Sequence, residues 1–282
     1  MAEHLSGGKW RLYRHLAELS IILTLAVSGR YPRLIISMPP QHGKSLLVSH
    51  WFPVWLLDLF PWMHIILASY QGDYASTWGR KVRNTIQENP DRLRVRISDD
   101  SAAAHLWETT AGGGMSSSGT SGAITGKPAH VLVIDDPLKS REEAESATYR
   151  NKNWEWWQGT ARTRLNPLPW APYSVVIVMA TRWHYDDLSG RLLARKVDQP
   201  EDAPYAIPWV EYKLPALAEE HDPLGRKVGE ALWPEKYPLE LLRAIQVDTS
   251  PYDWMSEYQQ SPILKEGNLF KRDYFRPIEV TA

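Results

Sequence analysis

Apolar residues recur three or four apart along residues 9–27 (Leu12, Leu16, Leu19, Leu23), which predicts an amphipathic helix. The pattern then changes. Arg33 to Met38 is a short run of apolar and β-branched residues and predicts a buried strand. Pro39 to Ser45 reads as a glycine-bearing turn. Leu46 to Leu59 reads as a helix disturbed at Pro53, whose ring has no N–H to donate. Met63 to Ser69 predicts a second strand, and Asp73 to Glu88 a helix that ends before Asn89-Pro90. Ser98 to Gly126 differs in kind: small residues dominate, and the segment reads as a mobile loop or hairpin. A third strand follows at Val131 to Asp135 and a charged, Trp-bearing helix at Arg141 to Gln158. Ser174 to Ala180 predicts a fourth strand and Tyr185 to Lys196 another helix.

Buried strands alternating with helices imply an α/β fold with a mostly parallel central sheet flanked by helices. After Asp198 the composition turns to proline and polar residues, with two short helical patterns between Pro238 and Gln260. The expected organisation is a core over residues 1–197, a small C-terminal lid or linker subdomain over 198–262, and a connecting segment over 263–282.

Composition narrows the function classes. Of the 282 residues, 43% are hydrophobic and 23% charged, which is globular rather than disordered. The chain has no cysteine, so disulfides, thiolate metal sites and a cysteine nucleophile are excluded, and a reducing cytosol fits. A formal net charge of −1 does not suit a protein that grips nucleic acid with its whole surface. The best apolar stretch, Ile21 to Val27, is too short to cross a bilayer. Most of the 14 tryptophans are expected in the core or on a partner surface.

Chemistry enters at the first strand-to-turn junction, Ile36-Ser37-Met38-Pro39-Pro40-Gln41-His42-Gly43-Lys44-Ser45. Backbone N–H groups at a helix start face an anion there, and the helix dipole favours negative charge. Pro40, Gln41, His42, Gly43, Lys44 and Ser45 would cradle the phosphates of ATP. Lys44 would reach the β- and γ-phosphates, and the Ser45 hydroxyl would ligate Mg2+. The motif departs from a standard P-loop at Met38, where a glycine is usual. About ninety residues later Val131-Leu132-Val133-Ile134-Asp135-Asp136 gives apolar strand formers ending in two carboxylates, a Walker B pattern. Asp135 would hold Mg2+, and Asp136 would orient or deprotonate the attacking water. Val176 to Arg182 is a strand ending in a hydroxyl and a cation. Thr181 suits a γ-phosphate sensor and Arg182 a phosphate contact; a plain strand cap is the other reading.

Together these motifs resemble the large subunit of tailed-phage terminases. The resemblance rests on Met38 to Ser45, on Ile134-Asp135-Asp136-Pro137, and on Ala180-Thr181-Arg182-Trp183-His184-Tyr185-Asp186-Asp187-Leu188. It extends to Tyr258-Gln259-Gln260-Ser261-Pro262 and Gly267-Asn268-Leu269-Phe270. It implies a P-loop NTPase of the ASCE, RecA-like type that uses ATP and Mg2+ and forms a homo-oligomeric ring on the portal protein. Such a motor drives double-stranded DNA into a procapsid in the host cytoplasm, with the terminase small subunit as a further partner and no membrane. The family's nuclease domain would begin near Gly267, so this chain looks like an isolated ATPase region and no nuclease activity is expected of it. By the same resemblance, adenine contacts are expected near Trp10 to His15 or around Tyr31.

Three departures stand out, one of them a further candidate catalytic carboxylate among Glu142, Glu143 and Glu145, for which a solvated helix face is the favoured reading. Many relatives carry arginine where this chain has Gln41, and many place glutamate at the position of Asp136. The family also completes its site with an arginine from a neighbouring subunit, supplied from the segment before Walker B. Here that segment holds only Lys127, which lacks the bidentate fork. Arg80, Arg83 and Arg162 are the alternative trans-acting cations. DNA contact is expected from Arg92, Arg94, Arg96 and Arg164, where phosphate neutralisation would carry little sequence preference. Two other functions stay open: a helicase- or repair-type P-loop ATPase, and a degenerate nucleotide-binding assembly protein.

Overall fold

The computed structural model describes residues 1–120, 122, 124, 126–195 and 206–263. Eight strands form one sheet: β1 (Arg33–Ser37), β2 (His64–Ser69), β3 (Ile97–Ala102), β4 (Leu106–Thr109), β5 (Gly114–Gly119), β6 (Val131–Asp135), β7 (Val175–Ala180) and β8 (Val210–Lys213). Their order is β3-β4-β5-β2-β6-β7-β1-β8. From β5 to β8 every pairing is parallel, and β4 runs antiparallel to both of its neighbours at the far edge.

The parallel strands read as unbroken apolar runs because both faces are covered. Leu34, Ile36, Ile65, Leu67, Val131, Val133, Ile177 and Met179 point to one face, under α2 (Arg14–Val27), α3 (Phe52–Leu59) and α4 (Gly72–Glu88). Their alternates Ile35, Ile66, Leu132, Ile134, Val176 and Val178 point to the other. There they meet Trp156 of α6 (Ala147–Trp156), Trp157, and Leu188 and Leu192 of α7 (Leu188–Ala194). Each face thus removes a full layer of apolar surface from water, which is the main favourable term in folding.

The expected helix over 9–27 begins only at Arg14; a separate short helix, α1 (Ala2–Leu5), precedes it. The disturbance at Pro53 takes the form of a π-helical stretch, Leu46–Trp51, which leads into α3 with the proline at its first turn. The charged helix breaks in two: α5 (Arg141–Glu145), capped by Ser140, precedes α6. Between Ser98 and Gly126 the chain forms the β3–β4–β5 hairpins, and β5 is a full member of the parallel sheet beside β2. The small residues of that segment mark close packing. A Cβ on Gly79 of α4 would sit 2.4 Å from the Ser117 hydroxyl of β5.

The stretch expected as a lid or linker contributes β8, which pairs with β1, and has a small core of its own. In that core Leu242 of α8 (Leu239–Asp248) and Trp254 pack with Ala216, Leu217 and Ala231; a short α9 (Pro251–Asp253) leads into Trp254. The expected boundary at 197/198, the Gly267–Phe270 match and nearly all of the 263–282 segment lie outside the described residues.

Candidate functional site

The phosphate-loop segment leaves β1 at Ser37 and turns through two left-handed residues, Gln41 at φ 59° and Gly43 at φ 87°. Glycine takes such a conformation without steric cost; here Gln41 shares the task. Met38, at the position where the motif lacks its glycine, is fully buried, and its carbonyl accepts from Lys44 Nζ at 3.4 Å. A Cβ on Gly43 would press on the Leu16 side chain at 3.3 Å, so α2 backs the loop closely.

Lys44, Thr181 and Asp136 meet at the centre. The Lys44 ammonium donates to the Thr181 hydroxyl and lies 3.4 Å from Asp136 Oδ1. The Thr181 backbone N–H donates to that same oxygen at 3.0 Å. Asp136 adopts a left-handed conformation at φ 45°, which aims its carboxylate across the ends of β6 and β7 rather than along the strand. Strand order explains the meeting: β7 lies between β6 and β1, so the loop lysine, the hydroxyl and the acid leave neighbouring strand ends. Open parallel sheets bind ligands at their carboxyl ends in this way.

Asp135 is fully buried and accepts from Ser45 at 3.2 Å and from Ser49 at 2.7 Å. Burial and, after it, the neighbouring Asp136 charge raise its pKa to about 7, against the lowering effect of Ser49, Lys44 and Ser45. A hydroxyl and a carboxylate are hard oxygen donors of the kind Mg2+ prefers, so the Ser45–Asp135 pair fits that ion. Among the described residues there is no cluster of three or more His, Asp or Glu side chains able to hold a metal without a ligand's help.

A cavity of about 580 Å³ opens beside this centre, lined among others by Pro40, Gln41, Gly43, Lys44, Ser45, Asp136 and Thr181. Trp10, Arg11 and Tyr13 form another part of its wall, within the stretch where adenine contacts are expected; Tyr31 is not part of the lining. Tyr74, Trp233 and Lys236 also line it, and sequence reasoning missed all three. Only a Trp-Pro-Glu-Lys-Tyr cluster, with no periodicity, marks residues 233–237.

Other expected residues fall elsewhere. His42 is buried beneath the loop. Its Nδ1 donates to Pro40 O at 2.8 Å, its ring stacks on Tyr237 at 4.6 Å, and burial lowers its pKa to about 4. The structure does not bring Arg182 to the cavity wall. Its guanidinium donates to Asp187 at 2.8 Å and to Glu211 of β8 at 3.2 Å, and its backbone N–H donates to Gln260 Oε1 at 3.1 Å. Glu211 also accepts from Ser37 at 2.8 Å, so this partly buried network ties β1, β7 and β8 together.

Among the expected trans-acting cations, Arg80 is exposed and Arg83 half-buried on α4, with Arg83 donating to Asn84 at 3.0 Å. Arg162 is exposed, and Lys127 lines a separate hollow with Gln71, Asp73 and His105. Among the expected DNA contacts, Arg96 donates to the carbonyls of Pro90 and Val95, both at 2.9 Å. Arg92 donates to His4 O at 3.2 Å, and Arg164 to Thr163 at 2.9 Å. Arg94 is exposed.

Residues 35–277 match the family described as "Terminase large subunit, T4likevirus-type, N-terminal". The chain belongs to this terminase family. No functionally curated protein matches it. Among solved structures, the large terminase ATPase domain of a Thermus phage is similar at 13% identity and a TM-score of 0.49, over 93% of this chain and 97% of that one. The large terminase of a thermophilic bacteriophage, solved in complex with ADP, is similar at 13% identity and 0.46, over 89% of this chain and 56% of that one. The bacteriophage HK97 large terminase is similar at 12% identity and 0.45, over 84% and 45%. The terminase chain therefore spans little more than half the length of the ADP-bound relative. No described helix is long and apolar enough to cross a membrane.

Proposed function

We propose that this chain is the ATP-hydrolysing motor region of a phage terminase large subunit and drives double-stranded DNA into a procapsid. The observation that carries the reading is the convergence of Lys44, Thr181 and Asp136 on one cavity at the ends of adjacent parallel strands. Phosphates would lie against the loop N–H groups, with Lys44 neutralising charge that builds up as the γ-phosphoryl group departs. Ser45 and Asp135 would hold Mg2+, which supplies further charge neutralisation on the phosphates. Asp136 orients a water toward the γ-phosphorus and takes its proton; the new P–O bond forms as the bond to the β–γ bridging oxygen breaks and ADP leaves. Thr181, bonded to both Lys44 and Asp136, is placed to sense whether the γ-phosphate is present.

Family membership supports the wider assignment. The portal protein, the terminase small subunit and further copies of this chain in a ring are the proposed partners, and the host cytoplasm the proposed location. Lys127, Arg80, Arg83 and Arg162 remain the candidates for a cation supplied to a neighbour. Arg92, Arg94 and Arg164 remain candidates for DNA contact; Arg96, held by its own backbone, is the weakest of that group. The division into a core and a C-terminal lid is likewise proposed, on the separate small core around Leu242 and Trp254.

Steady-state ATP hydrolysis across protein concentration, with Lys44→Ala alongside, tests the reading. Turnover that rises faster than linearly with protein and disappears in Lys44→Ala supports a motor completed by its neighbour. ATP binding with no turnover, even with portal and DNA added, would favour a degenerate nucleotide-binding protein instead.

A further inference from the structure

We propose that Lys236 is a phosphate ligand, carried to the nucleotide from the C-terminal half of the chain. The proposal rests on the reading of the cavity as a nucleotide site. Lys236 is 195 residues from Gln41 in sequence, yet its Nζ donates to the Gln41 carbonyl at 2.7 Å. It shares the cavity wall with Lys44, Ser45, Asp136 and Thr181.

Its position is built rather than incidental. The ammonium lies 5.0 Å from the Trp233 ring centroid and 5.1 Å from that of Tyr237. Those rings are themselves fixed: Trp233 packs on Tyr13 at 4.6 Å and on His15 at 5.2 Å, and Tyr237 stacks on the buried His42. Aromatic contacts thus clamp residues 233–237 onto the phosphate loop and hold the cation at the cavity.

Charge identifies the ligand class. The charged residues lining the cavity are Lys9, Arg11, Lys44, Lys236 and Asp136, four cations against one carboxylate. That balance suits a polyanion such as a nucleoside triphosphate. An ammonium has three donors, and a single neutral carbonyl leaves two of them for phosphate oxygens.

Calorimetric titration of wild type, Lys236→Ala and Lys236→Arg with Mg-ATPγS and with adenosine tests this. Lys236→Ala should weaken Mg-ATPγS at least 5-fold, as loss of a charge-assisted hydrogen bond to phosphate requires, while adenosine affinity stays within about 2-fold, and Lys236→Arg should recover most of the loss. Unchanged Mg-ATPγS affinity in Lys236→Ala would overturn the proposal. Equal weakening of adenosine and Mg-ATPγS would also overturn it, because it would show that Lys236 only anchors the aromatic clamp. If wild type binds neither ligand, the nucleotide reading itself falls and the proposal falls with it.

Discussion

The Thr181 backbone N–H and the Lys44 ammonium converge on one oxygen of Asp136, at 3.0 and 3.4 Å. The other oxygen of that carboxylate is left to act on a water. Asp136→Asn keeps an acceptor for Thr181 but cannot take a proton. Its kcat for ATP hydrolysis should fall at least 100-fold, in the usual range for loss of general acid–base catalysis, while nucleotide affinity changes only a few-fold. Near-normal kcat would remove Asp136 from the catalytic role.

Arg182 stands one residue beyond Thr181, and its effect on stability should exceed any effect on nucleotide binding. Its guanidinium bridges the buried Asp187 and the half-buried Glu211 at 2.8 and 3.2 Å. Removing one partner of a buried ion pair leaves an uncompensated charge and costs about 3–5 kcal/mol. Denaturant unfolding of Arg182→Ala should show a loss of this order, with Arg182→Lys recovering part of it. An unchanged midpoint would show that the network does not hold β7 to β8.

Stability should fall in mildly acidic solution partly through His50. Burial lowers its pKa to about 4, and Lys81 adds to the effect. Below pH 6.5 the unfolded chain takes up a proton that the folded chain refuses. The contribution is therefore complete above pH 6.5 and is lost as pH falls toward 4, at most about 3 kcal/mol for a shift of this size. His50 Nε2 lies 2.8 Å from the Thr85 hydroxyl, a contact that an amide can also make, and His50→Gln should lose less Tm than wild type between pH 7 and pH 4.5. Parallel loss in both proteins would show that His50 does not contribute.

Gly79→Ala tests the contact between α4 and β5. The added methyl would meet both the Ser117 hydroxyl and, at 2.9 Å, the Ala104 carbonyl. Overpacking of this kind destabilises by about 1–3 kcal/mol, measurable by thermal unfolding. The double variant Gly79→Ala, Ser117→Ala should recover part of the loss.

The four parallel strands β1, β2, β6 and β7 were readable in the sequence because burial on both faces demands continuous apolar runs. β5 was not. Gly114-Met115-Ser116-Ser117-Ser118-Gly119 lacks that signal, since its neighbour across the sheet face is a helix pressed in at Gly79. β8 was hidden in a stretch whose prolines and polar residues suggested a separate unit. The site follows the same division. Lys44 and Ser45, at the helix start that follows β1, and Asp135, Asp136 and Thr181, at the ends of β6 and β7, were legible from motif and order. Trp233 and Lys236 reach the cavity by tertiary contact alone, which local pattern does not encode. Arg182 shows the opposite limit: a cation beside a motif was read as a phosphate contact, but its geometry is set by Asp187 and Glu211.

The position of β7 has a mechanical consequence. It is hydrogen-bonded to β6 on one side and to β1 on the other, with Ser37 level with Ala180 and Asp135 level with Met179. The strand ends from which the phosphate loop and the acid depart are therefore held at a set spacing by two ladders of backbone bonds. In a nucleotide-driven machine built on this frame, the sheet is the fixed bed. Residues 233–237, by contrast, are held at its rim by Tyr237 stacked on His42, by Trp233 tilted against Tyr13 and His15, and by the Lys236 bond to the Gln41 carbonyl, so a shift of that segment would break no backbone ladder.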